Sequence, residues 1–207
     1  MWIARFASDA GRVDLYCRFR REGKSGRRII DLPLVYPLDQ LLLMYYFARR
    51  KGMLAHAAGM VLKGKAYLFA GASGAGKSTF SELLVQAKLG KVLSDERMIV
   101  REIKGEMIAF GTPWAGTALI ARSGSAPMAA VFFLKHGREN RVVKLDPVAA
   151  SDRILSMLSI PWYDPDTAAP IIAFAKRVMA NVPAFEFQFT PDRSAVEFFR
   201  KFMKISS

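Results

Sequence analysis

Gly71-Ala72-Ser73-Gly74-Ala75-Gly76-Lys77-Ser78 is the stretch whose residue types and spacing could do chemistry. It fits a glycine, four residues of any type, then Gly-Lys-Ser/Thr. Glycines let successive backbone amides turn inward and form a nest for anions, and a helix opening near Lys77 adds its positive end. Lys77 can reach the β- and γ-phosphates of a nucleotide, and the Ser78 hydroxyl can coordinate Mg²⁺. The apolar strand AYLFA precedes the loop, and Phe80, Leu83 and Leu84 follow at helical spacing, as the motif requires. Gly71 through Thr79 is therefore read as a phosphate cradle with Mg²⁺ beside it; the phosphate donor, ATP, pyrophosphate or another, stays open from these residues.

What stands beside the cradle follows from chain geometry. Lys63-Gly64-Lys65 reads as a hairpin tip, so partners across it have numbers summing to about 127 or 128. His56 then falls opposite Gly71 or Ala72, at the start of the loop, where a group titrating near neutrality suits proton handling or phosphate recognition. On the other flank, a helix from Lys77 to about Lys88 runs roughly 17 Å away. After Gly90 the strand KVLSD returns about 16 Å. Asp95 thus arrives level with the phosphates, in the form of a Walker B site only 18 residues after Lys77. Glu96 is next to it, and neighbours on a strand face opposite sides. One carboxylate could take a proton from an attacking hydroxyl while the other holds Mg²⁺. The bland alternative is a charged turn, SDER, between two strands.

A second Gly-Lys-Ser occurs at Gly23-Lys24-Ser25, but no glycine lies five residues before Gly23. It sits among Arg18, Arg20, Arg21, Arg27 and Arg28, between strand-like runs at 13–19 and 28–32. That placement reads as a solvated hairpin tip, with a docking surface for an acidic partner as the alternative.

These residues need elements to carry them. Alternating runs at 2–6, 13–19 and 28–32 predict a small antiparallel sheet in front. LDQLLLMYYFARRKG predicts a helix whose basic end, Arg49-Arg50-Lys51, complements its dipole before Gly52. Beyond the cradle come short strands through Val143. Helices follow over 147–158, 167–180 and 192–203, with a strand at 184–189 between the last two. Asp164 and Asp166 precede a helical run and read as capping residues. The expected architecture is α/β: a single P-loop domain over 1–207, with small N-terminal strands in 1–36 and a nucleotide-binding core in 53–134. Its sheet should be mixed and partly antiparallel, with C-terminal helices.

Composition narrows the class. Hydrophobic residues make up 52% of the 207 and charged ones 24%, as in an ordinary globular chain. The single cysteine, Cys17, allows no internal disulfide and fits a reducing compartment. The start shows no secretory pattern, and the most apolar stretch, 41–48, is too short for a membrane span. The expectation is a cytoplasmic protein without a membrane partner. A net charge of +13 raises encounter rates with anionic partners. Charge alone argues for nucleic acid, and no motif supports it. One cysteine and two histidines cannot build a zinc site.

LAHAAGMVLKGKAYLFAGASGAGKSTFSELL followed by GKVLSDERMIV resembles the HPr kinase/phosphorylase family, over about 53–100 with specificity and weakly to about 134. The resemblance implies a phosphoenolpyruvate carboxykinase-like fold and a serine kinase that uses ATP and Mg²⁺. By that likeness Asp95 is the carboxylate that deprotonates the acceptor, Glu96 stands where the family has a second, metal-binding Asp, and His56 lies near the transferred phosphate. Lys77 is the phosphate lysine, and Ser78 the metal-binding hydroxyl. Family members are often homo-oligomers. The family's Glu-x-Arg-Gly-containing segment has no counterpart in FGTPWAGTALIARSGSAP, and the separate N-terminal domain of many members is lacking. Neither HPr as substrate nor phosphorylase activity is therefore expected. The chain looks closer to relatives that phosphorylate hydroxyls on small peptides during natural-product assembly.

Three functions fit these residues. The first is an ATP- and Mg²⁺-dependent kinase acting on a hydroxyl of a protein, peptide or small molecule, with Asp95, His56 and Lys77 as catalytic residues and Ser78, Glu96 and Asp95 at the metal. A P-loop small-molecule kinase is the second, disfavoured by the hairpin before the loop. A non-catalytic nucleotide sensor is the third. Two further features stay open: GTPWAGT (111–117) as a lid or a plain turn, and Lys135, His136 and Arg138 as substrate cations or, more simply, an exposed turn.

Overall fold

Alternating side chains at the front of the chain build two small antiparallel ladders, β1 (Trp2–Phe6) with β2 (Val13–Cys17), and β3 (Arg20–Glu22) with β4 (Arg27–Ile29). The computed structural model describes residues 2–7, 11–29, 34 and 36–204. The basic hairpin is there, but its partner strand is 20–22 rather than 13–19, because 13–17 is taken by β1. The expected strand residues 30–32 lie outside the described residues.

Helix α1 (Leu38–Ala48) ends earlier than its basic tail suggested. Arg49, Arg50 and Lys51 form the turn beyond it: Arg50 lies over the Tyr46 ring, 4.1 Å from its centroid, and Lys51 pairs with Glu102 at 3.3 Å. Arg50 Nη1 also donates to Tyr46 O at 3.4 Å, a carbonyl of the last turn, so part of the basic tail serves the helix end from just beyond it. Strand β5 (Gly52–Ala55) follows, then the hairpin of β6 (Ala57–Leu62) and β7 (Lys65–Ala70). Its register pairs Ala57 with Ala70 and Leu62 with Lys65, so partners sum to 127, as the turn predicted.

The chain continues through α2 (Lys77–Gln86), β8 (Lys91–Ser94), β9 (Met98–Ile103), β10 (Glu106–Gly111), β11 (Ser125–His136) and β12 (Arg141–Lys144). It closes with α3 (Pro147–Leu155), α4 (Pro165–Asn181), β13 (Ala184–Phe189) and α5 (Arg193–Phe202). Asp146, Asp164 and Asp192 each accept backbone N–H bonds at the start of their helices. That satisfies donors that would otherwise have no partner.

One sheet runs in the order β5-β9-β10-β11-β7-β6-β8, and β13 joins β11 to β12. It is mixed: β11 runs parallel to both β7 and β13, and the other pairs are antiparallel. The protein is thus α/β with a mixed sheet and helices in its last third.

Strand periodicity divides the core between the two faces. Leu68, Ala70, Val131 and Phe133 pack with Ile154 of α3 and Ile171, Phe174 and Val178 of α4. Phe69, Phe132, Phe187 and Phe189 pack on the other face with Phe80 of α2 and Phe199 of α5. Phe80 meets Phe69, Phe187, Phe189 and Phe199 with ring centroids 5.0 to 5.8 Å apart. This aromatic cluster holds α2, and with it the glycine loop, onto β7. Truncating such a ring costs about 3–5 kcal/mol.

Candidate phosphate-loop site

Strand β7 is hydrogen-bonded on both sides, by β6 and β11, so its end is held fixed where the glycine loop begins. Gly74 and Gly76 take positive φ, 79° and 94°. A Cβ at Gly76 would come within 2.6 Å of Phe189 Cζ and 2.9 Å of His136 Cε1, so only glycine fits there. Lys77 is 7% exposed, and its Nζ donates to the loop's own carbonyls, Gly71 O at 2.8 Å and Ala72 O at 3.2 Å. Burial lowers its pKa, and the nearby Glu96 charge works against that shift.

A cavity of about 500 Å³ opens over the loop. Ser73, Gly74, Gly76, Lys77, Ser78 and Thr79 form its floor, while His56, Glu96, Thr117, Glu82 and His136 stand around it. Of the expected nucleotide-binding residues, Gly71 and Ala72 instead line an adjoining cavity, to which Ser73 also belongs. Ala75 lines neither: its methyl sits where a Cβ on Gly71 would have to go, and its N–H bonds Ala72 O at 3.1 Å.

The hairpin register carries His56 to the loop, opposite Gly71 by extension of the ladder. His56 Nδ1 lies 3.4 Å from Glu96 Oε1. Burial lowers its pKa, with Lys77 and Arg97 adding to the effect and Glu96 opposing it. The imidazole is thus biased toward its neutral form.

Asp95 and Glu96 follow β8 and have opposite surroundings. Asp95 is 0% exposed and accepts four hydrogen bonds. Oδ1 takes Gly116 N at 2.8 Å and Ile120 N at 3.1 Å; Oδ2 takes Ala118 N at 2.7 Å and Ser78 Oγ at 3.1 Å. Burial alone would raise its pKa, but these donors outweigh burial and hold the carboxyl below its ordinary value. Such a carboxylate has no free edge toward the cavity and little basicity. That departs from the expectation that Asp95 takes the acceptor's proton. Glu96, with its side chain 27% exposed, is the carboxylate that faces the cavity.

The segment after β10 closes over Asp95. Thr112 Oγ1 donates to Arg97 O at 2.7 Å, Ser94 Oγ to Trp114 O at 3.2 Å, and Trp114 Nε1 to Asp39 of α1 at 2.8 Å. GTPWAGT and the three residues after it therefore form a clamp over 112–120, which surrounds a carboxylate with the amides of Gly116, Ala118 and Ile120 and brings Thr117 to the cavity. Backbone donors leave no trace in residue type, so the sequence did not show it. His136 is the other residue that sequence reasoning undervalued. It is exposed, as expected of a turn, yet the parallel pairing of β11 with β7 carries it beside Gly76. The visible signal was a histidine at the end of an apolar strand.

For Mg²⁺ the donor set can be tested directly. Among the described residues no three His, Cys, Asp or Glu side chains gather into a metal site. A phosphate-bound Mg²⁺ asks for less: one or two protein oxygens, with phosphates and water completing its shell. A Ser78 hydroxyl oriented by Asp95, with Glu96 across the cavity, fits that demand.

Comparison with known proteins adds the following. The family model described as SynChlorMet cassette protein ScmC matches residues 28–182. The chain belongs to this family. The matched span holds both carboxylates and the glycine loop, and it stops before β13 and α5, which complete the aromatic face under the loop. A solved structure of the Hpr(Ser) kinase/phosphatase from Coxiella burnetii is similar at TM-score 0.41 and 14% identity, over 73% of this chain and 92% of that one. No curated protein matches the chain. Among the described residues no helix is long and apolar enough to cross a membrane.

Proposed function

We propose that this protein is an ATP-dependent phosphotransferase acting on a hydroxyl group, of a peptide, protein or small molecule. One observation carries the reading: a glycine loop with its lysine and serine floors a cavity in which an open carboxylate, Glu96, stands beside His56. The sequence resemblance of 53–100 to HPr kinases rests on the same residues and points the same way.

In this reading the amides of 73–79 and Lys77 bind the phosphates. Lys77 Nζ leaves Gly71 O and Ala72 O for the β- and γ-phosphate oxygens, a small movement for a flexible side chain. Ser78 and Glu96 would hold Mg²⁺, which when bound neutralises charge on the phosphates. Asp95 keeps the Ser78 hydroxyl pointed and the 112–120 clamp closed. The acceptor oxygen forms the new bond to the γ-phosphorus, the bridging P–O bond breaks, and its electron pair leaves with ADP. The hydroxyl proton passes to Glu96 or, through it, to the neutral imidazole of His56. In this reading Asp95 takes a positioning role, and the proton-accepting one, which the resemblance gave to Asp95, goes to Glu96.

The test uses protein with γ-labelled ATP and Mg²⁺ in nucleotide-depleted lysate. Wild type should label one acceptor, and Glu96→Gln should lose labelling by about 10²-fold or more while still binding a fluorescent ATP analogue. Binding with neither acceptor labelling nor phosphate release in wild type would favour a nucleotide sensor and sink the kinase reading.

A further inference from the structure

A second cavity, of about 430 Å³, adjoins the first. His56 and Ser73 line both, so the imidazole stands in the partition between them. Beyond those two residues it is walled by Arg97, Met157, Leu158 and Ser159. Chain order brings this wall together from three places. Arg97 follows the carboxylate pair. The segment after α3 is laid along β5 by His56 N to Met157 O at 2.7 Å, Ser159 N to Leu54 O at 3.0 Å and an Ala55–Leu158 bridge. Gly71 and Ala72 supply the edge nearest the phosphate loop.

The two cavities differ in charge. The first carries Glu82 and Glu96 with Lys77 among its floor residues; the second has no acidic side chain in its lining, only Arg97 and His56 among titratable groups. Arg97 is lightly engaged: Nη1 is 3.4 Å from Ser159 Oγ, and Nη2 is 3.6 Å from Glu96 Oε1. A guanidinium has five N–H donors in a planar fork that matches a carboxylate, and these two long contacts leave most of that capacity unused. Met157 and Leu158 supply apolar wall for the ligand's carbon frame. The volume suits an amino acid or one to two residues of a peptide.

We propose that this second cavity is the acceptor site, and that it takes a hydroxyl compound carrying a carboxylate, which Arg97 grips while the hydroxyl points past His56 toward the γ-phosphate. The inference rests on the phosphotransferase reading and adds the acceptor's chemical class. A free hydroxy acid and a serine beside an acidic residue in a peptide share that chemistry.

Four probes distinguish the sources: L-serine and L-serinamide, and N-acetyl-Asp-Ser-amide and N-acetyl-Asn-Ser-amide. Each is titrated into isotope-labelled protein holding a non-hydrolysable ATP analogue, and backbone amide signals of 156–159 and the Arg97 side-chain N–H are followed. In parallel, label transfer from γ-labelled ATP to each probe is measured. The carboxylate member of at least one pair should shift those signals and be labelled about tenfold better than its amide counterpart, the size of one charge-assisted contact. Arg97→Gln should abolish that preference. Leu158→Trp, which fills the cavity, should abolish transfer while changing affinity for a fluorescent ATP analogue less than twofold. Equal behaviour of acid and amide probes, transfer that survives Leu158→Trp, or no shifts at 156–159 with any probe overturns the proposal. Transfer without shifts there leaves the kinase reading standing and removes this site; shifts without transfer to any acceptor leave a carboxylate-binding cavity but remove the kinase reading and the acceptor role with it.

Discussion

The tripeptide Gly-Lys-Ser occurs twice in this chain, and the two copies have nothing in common beyond their letters. At 76–78 it opens α2 beneath a strand paired on both sides, with Lys77 buried among backbone carbonyls and Ser78 held by Asp95. At 23–25 it forms a short 3-10 turn at the tip of a three-residue hairpin, where all three residues are exposed. Ser25 there bonds only its own turn, donating to Glu22 O at 3.0 Å and accepting from Arg27 N at 3.2 Å. The difference lies in what feeds the motif. A central strand, a helix pinned by four phenylalanines and a returning carboxylate place a common tripeptide on the floor of a cavity. A two-stranded hairpin gives the same letters nothing to point at.

The comparison breaks most visibly at the serines' partners. Asp95→Ala strips the acceptor from one buried and two half-buried N–H groups and from Ser78, and should lower stability by about 3–5 kcal/mol. Ser25→Ala, which removes the corresponding local bonds of the outer turn, should stay within about 0.5 kcal/mol. Urea unfolding of both variants measures this; similar values would mean the clamp over Asp95 contributes no more than a surface turn. The lysines come next. Lys77→Ala should cost about 10²–10³-fold in nucleotide turnover, and Lys24→Ala nothing beyond a modest change in salt dependence, read from initial rates at two ionic strengths.

How much of this contrast could be read in advance differs by residue. The hairpin tip at Lys63-Gly64 has a fixed register, so His56 could be placed opposite Gly71 by counting. Asp95 could be placed by the lengths of one helix and one strand, because both rises are nearly constant. What that counting could not see was direction and company. Whether Asp95 or Glu96 faces the cavity depends on the 112–120 clamp, whose donors are the amides of Gly116, Ala118 and Ile120, and any residue but proline carries an amide. His136 required the parallel pairing of β11 with β7, a contact between segments about 60 residues apart with no turn to set its register. The helix ending at Ala48 was overrun because Arg49, Arg50 and Lys51 are as compatible with a last turn as with the bend that follows it. The fold class was legible; which of two adjacent carboxylates is buried and which faces the cavity was not.

Glycine sharpens the contrast further. Gly76 has φ 94°, and a Cβ there would strike Phe189 and His136. Gly76→Ala should therefore cost about 1–3 kcal/mol and weaken nucleotide binding. Gly23 has φ 28°, and a Cβ added to it would meet nothing within 4 Å, so Gly23→Ala should cost no more than about 1 kcal/mol and leave binding intact. Thermal melts with and without a fluorescent ATP analogue distinguish the two.

The smallest effect is one of pH. Asp95 has its pKa below the ordinary value of 3.8 because the four donors outweigh burial. A depressed carboxylate contributes stability that is fully present above the unfolded-state pKa and fades as pH falls through the folded one. The stability difference between wild type and Asp95→Asn should thus be flat from neutrality down to about pH 5 and shrink below 3.8, where the unfolded chain takes up its proton first. Ser25→Ala adds and removes no titrating group and should run parallel to wild type throughout. A difference that instead grew on acidification would mean that Asp95 is protonated more readily in the folded protein. The clamp would then be holding a neutral acid, and the proposed assignment of proton transfer to Glu96 would pass back to Asp95.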